Sequence, residues 1–202
     1  MKTVNLVRAG LWAVAIGAAV TAIGLSAGWF RSSDLPPGVE MVRIGGSFSL
    51  VDVDGKPVTD ADFAGTPRAM FFGFTNCPDV CPTTLLEAGG WLKELGPDAD
   101  KLKIVLVTVD PARDTPEALK LYLSSFDPRI VGLTGTQQQI DDVIKRYRVY
   151  ARKVETEGGD YTMDHSAAVL LFDGKGDFVG TVDYQAPKDE VVAKLKRLAT
   201  AG

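Results

Sequence analysis

Two cysteines and one histidine give this 202-residue chain the side chains of a single metal site. Cys77 and Cys81 lie four positions apart in the run FFGFTNCPDVCPTTL, and His165 stands just before the apolar run 167–172. Two thiolates and one imidazole suit copper, and Cu(I) above all, because soft sulfur ligands select that ion. The three residues therefore predict one copper site.

Other uses of the two cysteines fit the pattern less well. A disulfide across three intervening residues would close too short a loop to restrict the unfolded chain much. Structural zinc normally takes four protein ligands, and this chain offers three good ones. A Cys–His nucleophile would not need a second cysteine this close. Peroxidase chemistry is disfavoured because Pro78 stands where peroxiredoxins place a threonine.

A Cu(II) ion would need a further ligand beyond these three residues. The candidates near them in sequence are Asp79, Met163 and Asp164, or a water molecule. The simpler interpretation of Asp79 is a turn residue bonded to its own backbone. Met163 is equally well explained as an ordinary loop residue.

Hydrophobic patterning predicts one α/β domain that would position these ligands. The predicted strands are residues 48–53, 69–75, 103–110, 167–172 and 178–183, and the predicted helices are 82–95, 114–126, 137–147 and 188–200. A strand–helix–strand unit, a further helix, a hairpin and a last helix make the order of a thioredoxin-like fold, with a central mixed sheet flanked by helices.

In such a fold the two cysteines lie where the second predicted strand meets its helix. Pro82 suits the first helical position. The positive end of the helix would stabilise a thiolate there. His165, just ahead of a neighbouring strand, would face the cysteines.

The N-terminal part of the chain predicts a membrane anchor. Residues 9–30 carry no charge, and at 1.5 Å per residue they would span about 33 Å, enough to cross a bilayer. Lys2 and Arg8 precede the segment, which favours a cytoplasmic N-terminus at 1–8 and an exported domain. The alternative is a cleaved signal peptide, although small-x-small cleavage sites are poor here. A polar, proline-containing linker at 31–45 would join the anchor to a domain at 46–202.

Composition excludes some classes of function. An apolar content of 46% and a charged content of 24% describe a globular protein. The net charge is −4, and no basic cluster indicates nucleic-acid binding.

Three motifs together resemble the Sco/SenC family of copper proteins: FGFTNCPDVCP at 72–82, TVDPARDTP at 108–116 and DHS at 164–166. The resemblance runs from about Phe48 to the C-terminus. It implies a thioredoxin-like domain tethered to a membrane, here the bacterial inner membrane with the domain facing the periplasm. It also implies copper ligation by Cys77, Cys81 and His165, and a role in building the binuclear copper site of cytochrome c oxidase.

The resemblance leaves the mechanism open. A metallochaperone, which is not an enzyme, would take copper from a donor protein and pass it to the copper-accepting subunit of the oxidase. A thiol–disulfide reductase would instead use Cys77 and Cys81 as a redox pair to keep the acceptor's cysteines reduced. A third interpretation is a copper or redox sensor. The segment 110–116 fits a strand end and a helix cap, with Asp110 and Arg113 as alternative contacts for the loop beside the metal or for a partner.

Overall fold

The computed structural model describes residues 43–200, in which nine strands and four α-helices are found. The strands are β1 (Ser49–Asp52), β2 (Pro57–Thr59), β3 (Arg68–Gly73), β4 (Lys103–Thr108), β5 (Ile130–Thr134), β6 (Ala151–Glu155), β7 (Tyr161–His165), β8 (Val169–Phe172) and β9 (Phe178–Val182). The helices are α1 (Val80–Leu95), α2 (Pro116–Leu123), α3 (Gln137–Arg146) and α4 (Lys188–Thr200). Short 3-10 helices cover Asp60–Phe63 and Gly96–Lys101.

Seven of the strands form one mixed sheet in the order β2-β1-β5-β4-β3-β8-β9. The three central strands β5, β4 and β3 run parallel, and the outer pairs are antiparallel. Helices α1 and α4 pack on each other, α2 packs on β5 and α3 on β1. This arrangement confirms the predicted thioredoxin-like α/β fold.

The central strands are apolar along most of their length because the rest of the domain covers both faces of the sheet there. Every residue of β3 is buried, and β4 is buried from Ile104 onward. A strand covered on both faces has no polar side to alternate with, so its sequence is a continuous apolar run. Polar side chains that could take part in chemistry are therefore first found at the ends of these two strands.

Strand β5 was missed by the sequence analysis. Its sequence IVGLT contains Gly132, and a glycine inside a short run weakens the strand pattern. The tertiary structure explains the residue, because a Cβ at Gly132 would lie 2.5 Å from Leu123 Cδ1. Gly132 thus lets α2 approach the sheet closely.

A second element missed by the sequence analysis is the two-stranded hairpin of β6 and β7. Ala151 pairs with His165 and Glu155 pairs with Tyr161. The two strands form a sheet of their own, separate from the main sheet. Its sequence is polar and half exposed, without the apolar alternation by which strands are recognised. His165, which was expected in a loop, ends β7.

Two predicted helix starts have different outcomes. The capping box at α3 is confirmed, with Thr136 as N-cap and the Gln139 side chain bonded back to the Thr136 amide. The assignment of Pro82 to the first helical position is wrong, since α1 begins at Val80 and Asp79 is its N-cap. Pro82 is the third helical residue, where its missing N–H still costs no intrahelical hydrogen bond.

The predicted N-terminus 1–8, the anchor 9–30 and the linker up to residue 42 lie outside the described residues. Within residues 43–200, no helix is both long and apolar enough to span a membrane. The anchor and the domain boundaries remain predictions.

Candidate metal centre

The two cysteines lie on either side of the start of α1. Cys77 is half-buried in the loop after β3, where its amide donates to the Phe74 carbonyl at 3.3 Å. Cys81 is the second residue of α1 and is fully buried, at 0% exposure. The Cys81 amide donates to Cys77 Sγ at 3.4 Å, so a free amide of the helix start is aimed at that sulfur. Both thiols are free, as a metal site requires.

His165 reaches the cysteines from the end of β7. Its Nε2 lies 3.5 Å from Cys81 Sγ, and its Nδ1 lies 2.9 Å from the Ser166 carbonyl oxygen. Because a carbonyl only accepts hydrogen bonds, Nδ1 carries the proton and Nε2 of the neutral ring keeps its lone pair. The backbone thereby selects the tautomer that can bind a metal through Nε2.

Aromatic rings hold the imidazole in this orientation. The Phe74 ring stands edge-on to His165 at 5.7 Å between centroids and 89° between planes, and the Phe71 ring lies at 6.1 Å and 69°. Both phenylalanines are buried at the end of β3. The strand that leads to Cys77 therefore also limits the rotation of the histidine ring.

The three ligand atoms form one compact cluster. Cys77 Sγ, Cys81 Sγ and a His165 ring nitrogen all lie within 4.8 Å of one another. With distances typical of zinc, about 2.3 Å to sulfur and about 2.1 Å to nitrogen, a trigonal ion holds its ligand atoms about 3.8 to 4.0 Å apart. The cluster accommodates an ion of this size after small side-chain adjustments.

None of the candidates for a fourth ligand belongs to this cluster. Asp79 is exposed, and its carboxylate accepts from the Thr83 hydroxyl at 3.4 Å, not from its own backbone as the simpler interpretation had expected. Asp164 is exposed on the face of β7 opposite to His165, because side chains alternate along a strand. Met163 packs against the hydrophobic core. Among residues 43–200, the cluster of Cys77, Cys81 and His165 is the only such group of three or more His, Cys, Asp or Glu side chains.

Burial changes the protonation expected at one of the sulfurs. The sequence analysis predicted a thiolate stabilised by the helix start, but burial raises the pKa of Cys81 far above the ordinary thiol value. Burial therefore favours the protonated thiol of Cys81 over the predicted thiolate as long as no metal ion is bound. The Cys81 S–H can donate to His165 Nε2, so a bound metal ion would take the place of that proton between the same two atoms.

Gly73, the last residue of β3, makes room for Cys81. A Cβ at Gly73 would lie 2.7 Å from Cys81 Sγ and 2.8 Å from Phe71 Cε1. Carbon and sulfur atoms do not approach this closely without displacement. The glycine therefore decides where the buried sulfur can sit.

We expect Gly73→Ala to lower the free energy of unfolding by about 1–3 kcal/mol, because the added methyl overpacks a closed core. It should also weaken binding of Cu(I), the ion that the sequence predicts, since Cys81 Sγ must move. Gly90→Ala in α1 is the matched control: nothing lies within 4 Å of its added Cβ, and alanine there should raise stability by about 0.5–1 kcal/mol. Denaturant unfolding and Cu(I) competition titrations measure both effects. Equal behaviour of the two variants would contradict this role of Gly73.

Asp114 anchors the loop that carries Cys77. It is 1% exposed, and its carboxylate accepts from the Thr75 amide at 3.1 Å, the Thr75 hydroxyl at 2.6 Å and the Thr108 hydroxyl at 2.5 Å. Its own carbonyl accepts from the Thr134 hydroxyl at 2.7 Å. Asp114, Thr115 and Pro116 were predicted together as a helix start, and Thr115 is the cap of that helix. Asp114 instead ties together the ends of β3, β4 and β5.

Asp110 and Arg113 fasten the His165 hairpin to the domain. The Tyr161 hydroxyl donates to Asp110 Oδ1 at 2.9 Å, and Arg113 donates to the Tyr161 carbonyl at 2.9 Å. The guanidinium lies 3.4 Å from the Tyr161 ring centroid and also pairs with Asp160. These contacts hold β7 at one end, and His165 stands at its other end. The alternative that the two residues order the segment beside the metal fits this geometry.

Tyr122 is a further residue near the site that sequence analysis did not identify. Its hydroxyl is buried without a hydrogen-bond partner, and its ring packs on Phe126 at 5.2 Å. Burial raises the pKa of Tyr122, and the nearby Cys81 and Cys77 raise it further. The position of Tyr122 in the predicted helix indicates only that its side chain faces the core.

We expect Tyr122→Phe to raise the free energy of unfolding by about 1 kcal/mol, because it removes a buried polar group that has no partner. Tyr147→Phe is the matched control. The Tyr147 hydroxyl donates to the Gly46 carbonyl at 3.1 Å, so its loss should lower stability by about 1 kcal/mol. Urea unfolding of the reduced, metal-free variants measures both values, and a destabilised Tyr122→Phe would show that its hydroxyl has a partner.

The fold and the site together define a class of protein: a thioredoxin-like domain with a Cys–Cys–His cluster at the start of its first helix. Residues 38–200 match the family model described as SCO1/SenC. The chain belongs to the SCO1/SenC family.

Relatives and solved structures agree with this assignment. The mitochondrial protein SCO2 of Saccharomyces cerevisiae is 41% identical over 160 residues, which are 77% of this chain and 52% of that protein. Protein sco1 of Schizosaccharomyces pombe is 40% identical over 68% of this chain and 54% of its own length, so this chain spans about half the length of both fungal relatives. The structure of Bradyrhizobium japonicum ScoI with copper bound is 51% identical, with a TM-score of 0.73, over 77% of this chain and 99% of that one. Yeast Sco1 with copper bound is 37% identical, with a TM-score of 0.72, over 79% and 90%.

Proposed function

We propose that this protein is a copper metallochaperone that binds one copper ion through Cys77, Cys81 and His165. The observation that carries the proposal is the convergence of two sulfurs and one imidazole nitrogen within 4.8 Å. The copper bound to the Bradyrhizobium and yeast relatives supports the choice of metal. The family resemblance supports the copper-accepting subunit of cytochrome c oxidase as the recipient.

The donor set favours Cu(I) as the cargo. Two thiolates are soft ligands, and three ligands leave a coordination position open. Zinc prefers a fourth protein ligand in a closed site, and no fourth His, Cys, Asp or Glu side chain joins the cluster in the described residues. Loading Cu(I) releases the proton of Cys81, so binding should become tighter as the pH rises.

The unequal burial of the ligands indicates how the ion could leave. Cys81 is fully buried, whereas Cys77 and His165 are partly exposed. An acceptor thiolate can approach the ion only from the exposed side, where it would displace Cys77 or His165 first. Cys81 would keep the last bond until a second acceptor ligand replaces it, and the copper stays Cu(I) throughout this exchange.

A thiol–disulfide reductase is the second candidate, favoured by the same asymmetry. The partly exposed Cys77 sulfur would attack an acceptor disulfide and release one acceptor thiolate. The buried Cys81 would then attack the mixed disulfide, release the second acceptor thiol and form a Cys77–Cys81 disulfide. A thiol reductase would have to supply two electrons to restore the pair.

The location of the protein is also part of the proposal. Residues 9–30 would anchor the chain in the bacterial inner membrane, 1–8 would lie in the cytoplasm, and the linker 31–45 would present the domain 46–202 to the periplasm. The relatives include mitochondrial proteins and a lipoprotein, and so are found in different settings. A copper chaperone would be the natural donor there.

Copper titration of the reduced full-length protein, beside His165→Ala, tests the proposal. We expect one equivalent of Cu(II) to give a thiolate-to-copper charge-transfer absorption and an EPR signal, both lost in His165→Ala. Equally weak copper binding by both proteins, together with turnover of a disulfide substrate by Cys77 and Cys81, would overturn the metallochaperone and establish the reductase.

A further inference from the structure

Arg68, at the end of β3 opposite to Gly73, is a buried arginine that has no counter-ion among the described residues. Arg68, the first residue of the strand, is 3% exposed. Buried charged side chains in proteins are nearly always paired, because an isolated charge loses its hydration. Among residues 43–200, no carboxylate forms an ion pair with Arg68, and its Nε has no hydrogen-bond partner.

Two aromatic rings beside the guanidinium stabilise its charge, and the hydroxyl of Tyr147 can accept one of its hydrogen bonds. The Phe63 and Phe172 ring centroids lie 5.5 and 5.4 Å from its central carbon, within the range of a cation–π interaction. The Arg68 charge lies close enough to the Tyr147 hydroxyl to oppose the pKa rise that burial causes there. That hydroxyl already donates to the Gly46 carbonyl. Because a hydroxyl that donates can also accept, Tyr147 can take one N–H of Arg68. The Nε of Arg68, which has no partner in the described residues, and the N–H groups that Tyr147 does not take remain for another acceptor.

Arg68 lines a cavity of about 380 Å³, which lies at the small end of the range for ligand sites. The other charged groups of the lining are Arg43, Lys175 and Asp60, so three cations face one carboxylate. Asp60 Oδ1 accepts from the Phe48 amide at 3.1 Å. Arg43 pairs at the rim with Asp177 at 3.2 Å, where both side chains are exposed and the pair is weak.

Glycines keep this cavity open. Gly46, Gly174 and Gly176 belong to the lining. A Cβ at Gly176 would lie 3.3 Å from Arg68 Nη2, and the residue has a φ of +82°, which favours glycine. The two glycine-containing loops thus leave the guanidinium accessible to a small molecule from one side.

We propose that this cavity is a binding site for the phosphate group of a small oxoanion or of an anionic phospholipid. The guanidinium of Arg68 offers a planar pair of donors that matches two phosphate oxygens, and burial strengthens that contact. Lys175, exposed at the mouth, adds a second positive charge. The proposal is independent of the copper function: Arg68 and Gly73 are the two ends of β3, about 16 Å apart at about 3.3 Å per residue.

Two sources of phosphate are compatible with the position of the cavity. Arg43 belongs to its lining and lies in the segment 31–45, which is predicted to link the membrane anchor to the domain. A phospholipid headgroup would be near if that anchor spans the membrane. Free inorganic phosphate is the other source, and both present the same group to Arg68.

Thermal unfolding of the full-length, metal-free protein in a non-ionic detergent tests the site. We expect inorganic phosphate to raise the Tm in a saturable way, compared with chloride at equal ionic strength. Arg68→Met should abolish the shift and still fold, since the unbranched apolar side chain can keep the contacts with Phe63 and Phe172. Lys175→Met, an exposed change, should weaken phosphate binding by roughly fivefold. Arg129→Met, which lies outside the cavity, should respond like the wild type.

Short-chain phosphatidylglycerol, tested as a monomer in the same assay, separates the two sources. A larger Arg68-dependent shift than with phosphate assigns the site to a lipid headgroup, and a smaller one assigns it to a free anion. An equal rise in all variants would be a general salt effect and would overturn the site. No rise in the wild type with either compound would overturn it as well. If Arg68→Met does not fold, the comparison of Lys175→Met with Arg129→Met decides.

Discussion

Cys81→Ser is expected to weaken Cu(I) binding by more than about 100-fold while the protein stays folded. The loss should exceed the 10- to 100-fold that removal of an outer-sphere partner costs, because a ligand itself is lost. The serine side chain is no larger than that of cysteine, so it fits beside Gly73. Its hydroxyl can still donate to His165 Nε2. It replaces a soft ligand by a hard one that Cu(I) does not favour. The effect therefore reports the metal bond rather than packing.

Competition titration with a Cu(I) chelator measures the affinity of this variant, and urea unfolding of the metal-free form measures its stability. Asp79→Asn is the matched control, because Asp79 lies between the two cysteines in sequence but outside the cluster. It should change the affinity by less than about threefold. An affinity of Cys81→Ser within tenfold of the wild type would contradict ligation by Cys81, and a large loss in Asp79→Asn would make Asp79 a ligand.

Asp114→Ala is expected to lower the free energy of unfolding by about 3–5 kcal/mol, the range seen when a buried charged partner is removed from a network. The Thr75 amide and hydroxyl and the Thr108 hydroxyl all lose their acceptor. The loop that leads to Cys77 should loosen, so copper affinity should also fall. Urea unfolding and Cu(I) competition measure the two effects. Asp54→Ala is the control, because this exposed carboxylate pairs with Lys120 on the surface and contributes little. A loss no larger than in Asp54→Ala would remove Asp114 from its role as an anchor.

The pH dependence of stability gives an independent check on Asp114. Burial raises the pKa of Asp114 above its ordinary value, and this outweighs the three hydrogen bonds that favour the charged form. The folded state therefore holds this proton more tightly than the unfolded state does. Its stabilising contribution is complete below the unfolded pKa, near pH 4, and is lost as the pH rises through the folded pKa.

Asp114→Asn removes this titration. As the pH rises from about 4, the free energy of unfolding of the wild type should therefore fall relative to that of Asp114→Asn. The difference isolates Asp114 from exposed carboxylates such as Asp54 and Asp62, whose lowered pKa values act in the opposite direction. Urea unfolding of both proteins over a pH series measures it. A difference that grows in the wild type's favour with rising pH would mean that hydrogen bonding, and not burial, dominates.

The sequence by itself determined the chemistry of the candidate site. Cys77 and Cys81 follow a continuous apolar strand and precede a helix, and these local patterns were sufficient to place both on one connection. The scarcity of soft ligands identified His165 as the third member. Residue type and spacing are properties of the chain itself, so the Cys–Cys–His set and the thioredoxin-like order of elements needed no coordinates.

The tertiary structure decided what depends on contacts between distant residues. Asp114 reaches Thr75 across 39 positions, and the polar hairpin β6–β7 is ordered by Asp110 and Arg113; neither contact has a local signature. Full burial of Cys81 raises the pKa of its thiol, which works against the thiolate that its helix position predicted. Local sequence likewise did not indicate that Arg68, at the start of an apolar strand, would be buried without a counter-ion among the described residues. Burial and partnership are set by the packing of the whole chain, and for these residues they outweigh local propensity.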